Sequence, residues 1–166
     1  LVRRHPTLVA SLLLSHTSPP TPGRAPLLAL LLALFKLLPM PLLRLLLYAL
    51  NYGFLPGRGP EQRFWRAHFA AMIGSFARAA YTNRLRVMLD FDRHARFAPT
   101  DLRDWPGRML LAEATHDGMV RSAARDVLRR LYPQAQLHSF PQGRHADTVH
   151  SPAAQIAMLR GFLGGD

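Results

Sequence analysis

The sequence contains no cysteine. Disulfide staples and thiolate metal sites are therefore excluded, and nothing demands an oxidising compartment. Lysine is nearly absent as well, with Lys36 alone against 20 arginines. Acidic residues are missing from most of the first half. Residues 1–89 carry eleven basic side chains and one acid, Glu61, for a net charge of +10; residues 90–166 nearly balance at +1. A basic, leucine-rich half suits an anionic ligand or a phospholipid surface. Nucleic acid is not an expected partner, because the arginines are scattered among leucines and prolines without a basic cluster or a known binding motif.

A signal peptide is lacking too: an arginine pair is present, but no apolar stretch and cleavage site follow in the expected order. The expectation is a cytoplasmic protein. A membrane-spanning run is also missing. Lys36, Pro39, Pro41 and Arg44 interrupt residues 26–50, leaving less than the ~18–20 clean apolar residues a span needs. Peripheral contact with a membrane surface through residues 26–50 stays open.

What is present is enough for a real core: 166 residues, 49% of them hydrophobic. The apolar run at 8–14 reads as a buried parallel strand, ended by Ser, Thr, Pro and Gly. Residues 26–50 read as two short apolar helices joined near Pro39–Pro41. Pro60 suits a first helical turn, and Trp65, Phe69, Met72, Ile73 and Phe76 follow at helical spacing as a packing face. Residues 81–95 form another expected helix, with Leu85, Met88 and Leu89 on one side. The rhythm then changes. "RMLLAEA" and "AQLHSF" read as strands. Between them "DGMVRSAARDVLRRLYP" is an amphipathic helix with Val120, Ala124, Val127, Leu128 and Leu131 inward. "SPAAQIAMLRGFLGG" closes the chain as a helix, with Ser151 as N-cap and Pro152 in the first turn. The fold class is α/β: one strand, an all-helical insertion, then two further βα units with parallel strands.

Functional groups of a parallel sheet gather at the carboxyl ends of its strands. Asp117 follows the strand beginning at Arg108, and His145 follows the strand Gln136–Phe140. Side by side, the carboxylate accepts an imidazole N–H and fixes the tautomer, leaving the other ring nitrogen to take a proton from a nucleophile or water. Asp90 and Asp92 are alternative acids, but they fall in the helical insertion, where a structural role is expected. His116 and His150 are read as loop residues. A zinc site of His145, Asp147 and His150 lacks a helical HExxH arrangement, and no metal is expected. Asp147 is otherwise a second partner of His145 or plain surface charge.

These residues resemble the C-terminal half of an α/β-hydrolase fold enzyme. The resemblance rests on Asp117 in "ATHDGMV", His145 in "GRHADTVHSP" 28 residues later, and the closing Phe162–Leu163. Ala114 and Arg144 stand where the pattern commonly has glycine. The resemblance implies an α/β core formed by residues 1–20 and 100–166, with residues 21–99 as a helical cap. It also implies a nucleophile–acid–base order. Asp117 would be the acid, His145 the base, the substrate an apolar ester-like molecule, and no cofactor would be needed. "LVRRHP" is then the end of the helix after the nucleophile, which should lie roughly ten residues before Leu1. The expectation is a C-terminal fragment of a longer hydrolase, inactive alone. No Gly-x-Ser-x-Gly occurs in the chain. Ser15 and Ser75 lack the flanking small residues that a sharp strand-to-helix elbow requires. With an aspartate nucleophile the same half would serve an epoxide hydrolase or a dehalogenase. Two non-catalytic readings stay open beside these: an inactive truncated relative, and a basic protein that binds a membrane surface.

Overall fold

A computed structural model describes residues 2–54, 59–141, 145 and 151–164. The chain divides into two compact units. One comprises the residues up to Pro19 and those from Arg96 onward; the other runs Pro20–Ala95.

The first unit is built on a parallel three-stranded sheet, ordered β1 (Ser11–Ser15), β2 (Arg108–Ala114), β3 (Gln136–Phe140). Ser11 pairs with Arg108 and Leu110 with Gln136. Because side chains alternate across a strand, β2 feeds two cores. Leu110 and Ala112 meet Phe140, and Met158 and Phe162 of the last helix, α6 (Pro152–Leu163). Met109 and Leu111 meet Leu102, Tyr132, and Leu128 and Leu131 of α5 (Ser122–Leu131). β2 is therefore a near-continuous apolar run, as a strand covered on both faces must be.

Two boundaries and one cap differ from the sequence expectation. β1 starts at Ser11 rather than Leu8. Pro6–Leu8 instead form a turn of 3-10 helix that leaves Leu8 exposed. The Trp105 indole N–H donates to the carbonyls of Pro6 and Val9, and pairing with β2 begins where Arg108 N–H reaches Ala10 O. β1 is also only half-buried, since it has one neighbouring strand among the described residues. α5 starts at Ser122 rather than Asp117, because residues 117–120 fold around the Asp117 carboxylate; Val120 is buried, but ahead of the helix. Ser151 occupies the N-cap of α6, yet its side chain makes no capping bond; its carbonyl accepts Gln155 N–H.

The second unit holds α1 (Ala25–Leu37), α2 (Met40–Phe54), α3 (Pro60–Ser75) and α4 (Arg78–His94). Leu38 is extended, as a residue before proline prefers, so the apolar stretch breaks at Leu38–Pro39. The α1 carbonyls of Phe35 and Lys36 accept from the Arg78 guanidinium. A basic side chain at a helix C-terminus also meets the negative end of the dipole. Ala25 and Leu28 pack on Leu89, and Phe35 and Leu43 on Tyr81. On α4 the inward positions are Tyr81, Leu85, Leu89 and Asp92, while Met88 faces outward at 40% exposure, against expectation. Asp92 is fully buried: Thr21 N–H (2.9 Å) and the Arg24 fork (2.7 and 3.0 Å) donate to it. Asp90 is exposed and meets His94 at 2.8 Å. No helix among the described residues is long and apolar enough to cross a membrane.

Candidate active site

The carboxyl ends of the three strands carry the candidate groups. Beyond β2, Asp117 Oδ1 accepts the backbone N–H groups of Met119 and Val120, both at 2.8 Å. An aspartate that satisfies the amides two and three residues ahead makes its own turn and delays the helix. Arg125, one turn into α5, donates to Ala114 O (2.7 Å) and Val120 O (3.2 Å), tying both ends of that turn together. The Asp117 side chain is 1% exposed.

His145 lies beyond β3. Its Nδ1 stands 2.9 Å from Asp117 Oδ2 and 3.1 Å from Oδ1, and its ring is partly open to solvent. Asp117 can only accept when ionised, so Nδ1 carries the donated proton and Nε2 is left as the acceptor. Burial by itself raises the Asp117 pKa. The Val120 amide, the His145 ring and the Met119 amide outweigh burial, and the net shift is downward.

A depressed carboxylate contributes stability above its ordinary range and loses it as pH falls through the folded-state value. Asp92 is shifted the same way: burial raises it, and Arg24 and the Thr21 amide more than offset that. The chain should lose stability as pH falls below about 4. Unfolding midpoints measured against pH should be flatter in that window for Asp117→Asn than for the parent chain. Equal slopes would contradict a lowered Asp117.

His16 was missed by the sequence reading, and it closes the cluster. It directly follows β1, its N–H donates to Ala112 O (2.9 Å), and its φ is 49°. Its Nδ1 stands 3.5 Å from Asp117 Oδ2, with the ring nearly buried. The ring stacks on Phe140 and is edge-on to His145 at 6.0 Å between centroids. Gln155 of α6, itself buried, approaches His16 Nε2 at 3.5 Å. The rule that placed Asp117 and His145, function at the carboxyl ends of strands, applies equally to His16 once β1 ends at Ser15. A cavity of about 10 Å³ beneath the cluster is lined by Leu14, His16, Asp117, Val120 and Arg125 among others. It has room for one water at most.

Ser75 Oγ donates to Met72 O within α3, and no hydrogen bond joins Ser15 to His145 among the described residues. His116 is exposed. Asp147 and His150, along with Arg144, lie outside the described residues. Among those described, no group of three His, Asp or Glu side chains could hold a metal ion.

No family of known proteins matches the chain by sequence, and no curated protein does. Solved structures do. A hydrolase from Pseudomonas aeruginosa PA01 superposes with a TM-score of 0.74 at 18% identity, over 99% of this chain and 59% of that one. An alpha/beta hydrolase enzyme from a Medee basin deep-sea metagenome library gives 0.73 at 16% identity, over 99% and 60%. The 2-hydroxy-6-oxo-6-phenylhexa-2,4-dienoate hydrolase of Rhodococcus sp. strain RHA1 gives 0.59 at 17% identity, over 99% and 59%. The chain thus spans about three-fifths of the length of the structures it resembles.

Proposed function

We propose that this chain, whose fold is that of the α/β hydrolases over the span it covers, supplies the acid and the base of an acyl hydrolase. The observation that carries the reading is the Asp117–His145 pair: a buried, amide-bound carboxylate 2.9 Å from Nδ1 of an imidazole whose ring reaches solvent. In this reading a serine outside these 166 residues attacks an ester carbonyl. His145 Nε2 takes the hydroxyl proton as the tetrahedral intermediate forms, then returns it to the departing alkoxide. Water repeats the sequence and releases the acid. Asp117 stays ionised throughout and holds the imidazolium. The oxyanion donors also come from outside the chain.

The helical unit is assigned to the cap, with an apolar acyl chain as its ligand. Support comes from a cleft of about 330 Å³ walled by Ala29, Leu32, Ala33, Leu37 and Leu89 and edged by Lys36 and Arg93. Pockets of that size and lining suit small apolar ligands. The test is p-nitrophenyl ester hydrolysis by a polypeptide joining this chain to its nucleophile. Activity lost in His145→Ala supports the role; activity retained refutes it. Trapping the covalent intermediate separates a seryl ester from the aspartyl ester of an epoxide hydrolase or dehalogenase.

A second reading has its own observation. Leu27, Leu30, Leu34 and Leu37 form an exposed stripe on α1, as do Leu42, Leu45, Leu46 and Leu50 on α2, beside Lys36. Exposed apolar stripes flanked by cations suit the surface of an anionic bilayer. The chain should co-sediment with phosphatidylglycerol vesicles and not with phosphatidylcholine vesicles, and Leu34→Asp/Leu45→Asp should abolish the binding. Absence of binding to both vesicle types would end this reading.

A further inference from the structure

We infer that His16 is a positioning residue for the acid–base pair: its imidazole, held between Phe140 and Gln155, fixes the Asp117 carboxylate in the orientation that receives His145. The inference rests on the reading of Asp117 and His145 as that pair and extends it to two residues it did not include.

Asp117 offers two oxygens. Oδ1 is taken by the amides of Met119 and Val120. Oδ2 is approached by His145 Nδ1 at 2.9 Å and by His16 Nδ1 at 3.5 Å. An ionised carboxylate has about four acceptor sites, and His16 Nδ1 stands at ion-pair rather than hydrogen-bond distance from Oδ2. The two amides anchor Oδ1; His16 bounds the side on which Oδ2 would turn from His145 toward water.

His16 itself is held from several sides. Its N–H belongs to the β1–β2 ladder. Its ring lies against Phe140 at 6.2 Å between centroids, inclined by 23°. Gln155 stands at its far nitrogen. Its left-handed φ carries a conformational cost that non-glycine residues rarely meet, though histidine, asparagine and aspartate meet it more often. Such backbone persists where the surroundings over-determine it, and it gathers at functional sites. The turn lifts the ring off the sheet edge and onto Asp117. The end of β1 thereby meets the carboxylate that follows β2, and α6 touches this arrangement through His16.

The substitutions separate this role from plain support of the fold. His16→Gly removes the ring while relieving the left-handed backbone, which offsets part of the packing lost against Phe140. His16→Asn tolerates the same backbone and restores an N–H donor on a short side chain. The readout is water exchange of the His145 Nδ1 proton, followed by NMR of the 166-residue chain with labelled histidine. We expect exchange about threefold faster in His16→Gly, the scale of one weak polar contact, and near the parent rate in His16→Asn. Gln155→Met, which keeps the volume and removes the amide, should shift exchange in the same direction by less. It carries the test if His16→Gly melts without cooperativity. Equal exchange in the parent and in the folded variants, with the proton protected in all, would overturn the His16 role and leave the pair intact. A proton unprotected in the parent would overturn the pair itself, and the positioning role with it.

Discussion

Asp117→Asn should lower ester hydrolysis about ten-thousandfold, as expected when a triad imidazole is held in the wrong tautomer. The geometry explains why so small a change is so costly. Oδ1 is pinned by two backbone N–H groups. In the variant the amide carbonyl must stay there to accept them, which turns the amide NH2 toward His145. An NH2 can only donate, so Nδ1 must become the acceptor and the proton moves to Nε2. The base is then blocked at the atom that should take the nucleophile's proton. Because the fold around the turn is kept, kcat should fall while KM changes little. The measurement is steady-state hydrolysis of a p-nitrophenyl ester by the nucleophile-bearing polypeptide. A loss below about tenfold would mean that His145 does not depend on Asp117 for its tautomer.

The largest expected stability effect lies in the helical unit. Asp92→Ala should cost about 3 kcal/mol in denaturant unfolding, toward the low end of what breaking a buried ion pair costs. Asp92 has no exposed surface and receives three donors, two of them from one guanidinium. Its removal leaves the Thr21 N–H and the Arg24 fork without this acceptor. Arg24 is one-third exposed, so water can rehydrate part of that charge, and this keeps the cost from the top of the range. The control is Asp90→Ala. Asp90 and His94 are both exposed, and a surface pair is worth under about 1 kcal/mol. Equal effects of the two substitutions would show that the Asp92 pair is not the tie between α4 and the segment before α1.

What could be read from the sequence follows from what each signal encodes. β2 was legible because a strand covered on both faces is an apolar run with sharp limits, whereas β3 buries only Phe140 and was legible from its bounds, Pro133 before it and Pro141 after it. The meeting of Asp117 and His145 was legible because each follows a strand of one parallel sheet at the same end. The α5 start was misplaced because an aspartate that accepts its own downstream amides looks, in a string of letters, like the first residue of a helix. Met88 was placed inward because apolar spacing alone cannot tell position 88 from position 92, and a buried aspartate bonded to Arg24 overrides hydropathy. His16 went unseen for the same reason that β1 was shifted: its role appears only when the strand ends at Ser15, which depends on pairing with Arg108–Ala112 and on Trp105. Long-range partners decided Met88, His16 and the limits of β1, and periodicity does not carry long-range partners; the α5 start turned on local amides.

The central claim is that Asp117 holds His145 with its proton on Nδ1 and its Nε2 free to act as base. The nitrogen chemical shifts of His145 in the 166-residue chain report that tautomer directly. The account predicts the Nδ1–H form in the parent chain and the Nε2–H form in Asp117→Asn. A parent chain holding the Nε2–H form, or a mixture that Asp117→Asn leaves unchanged, would contradict it.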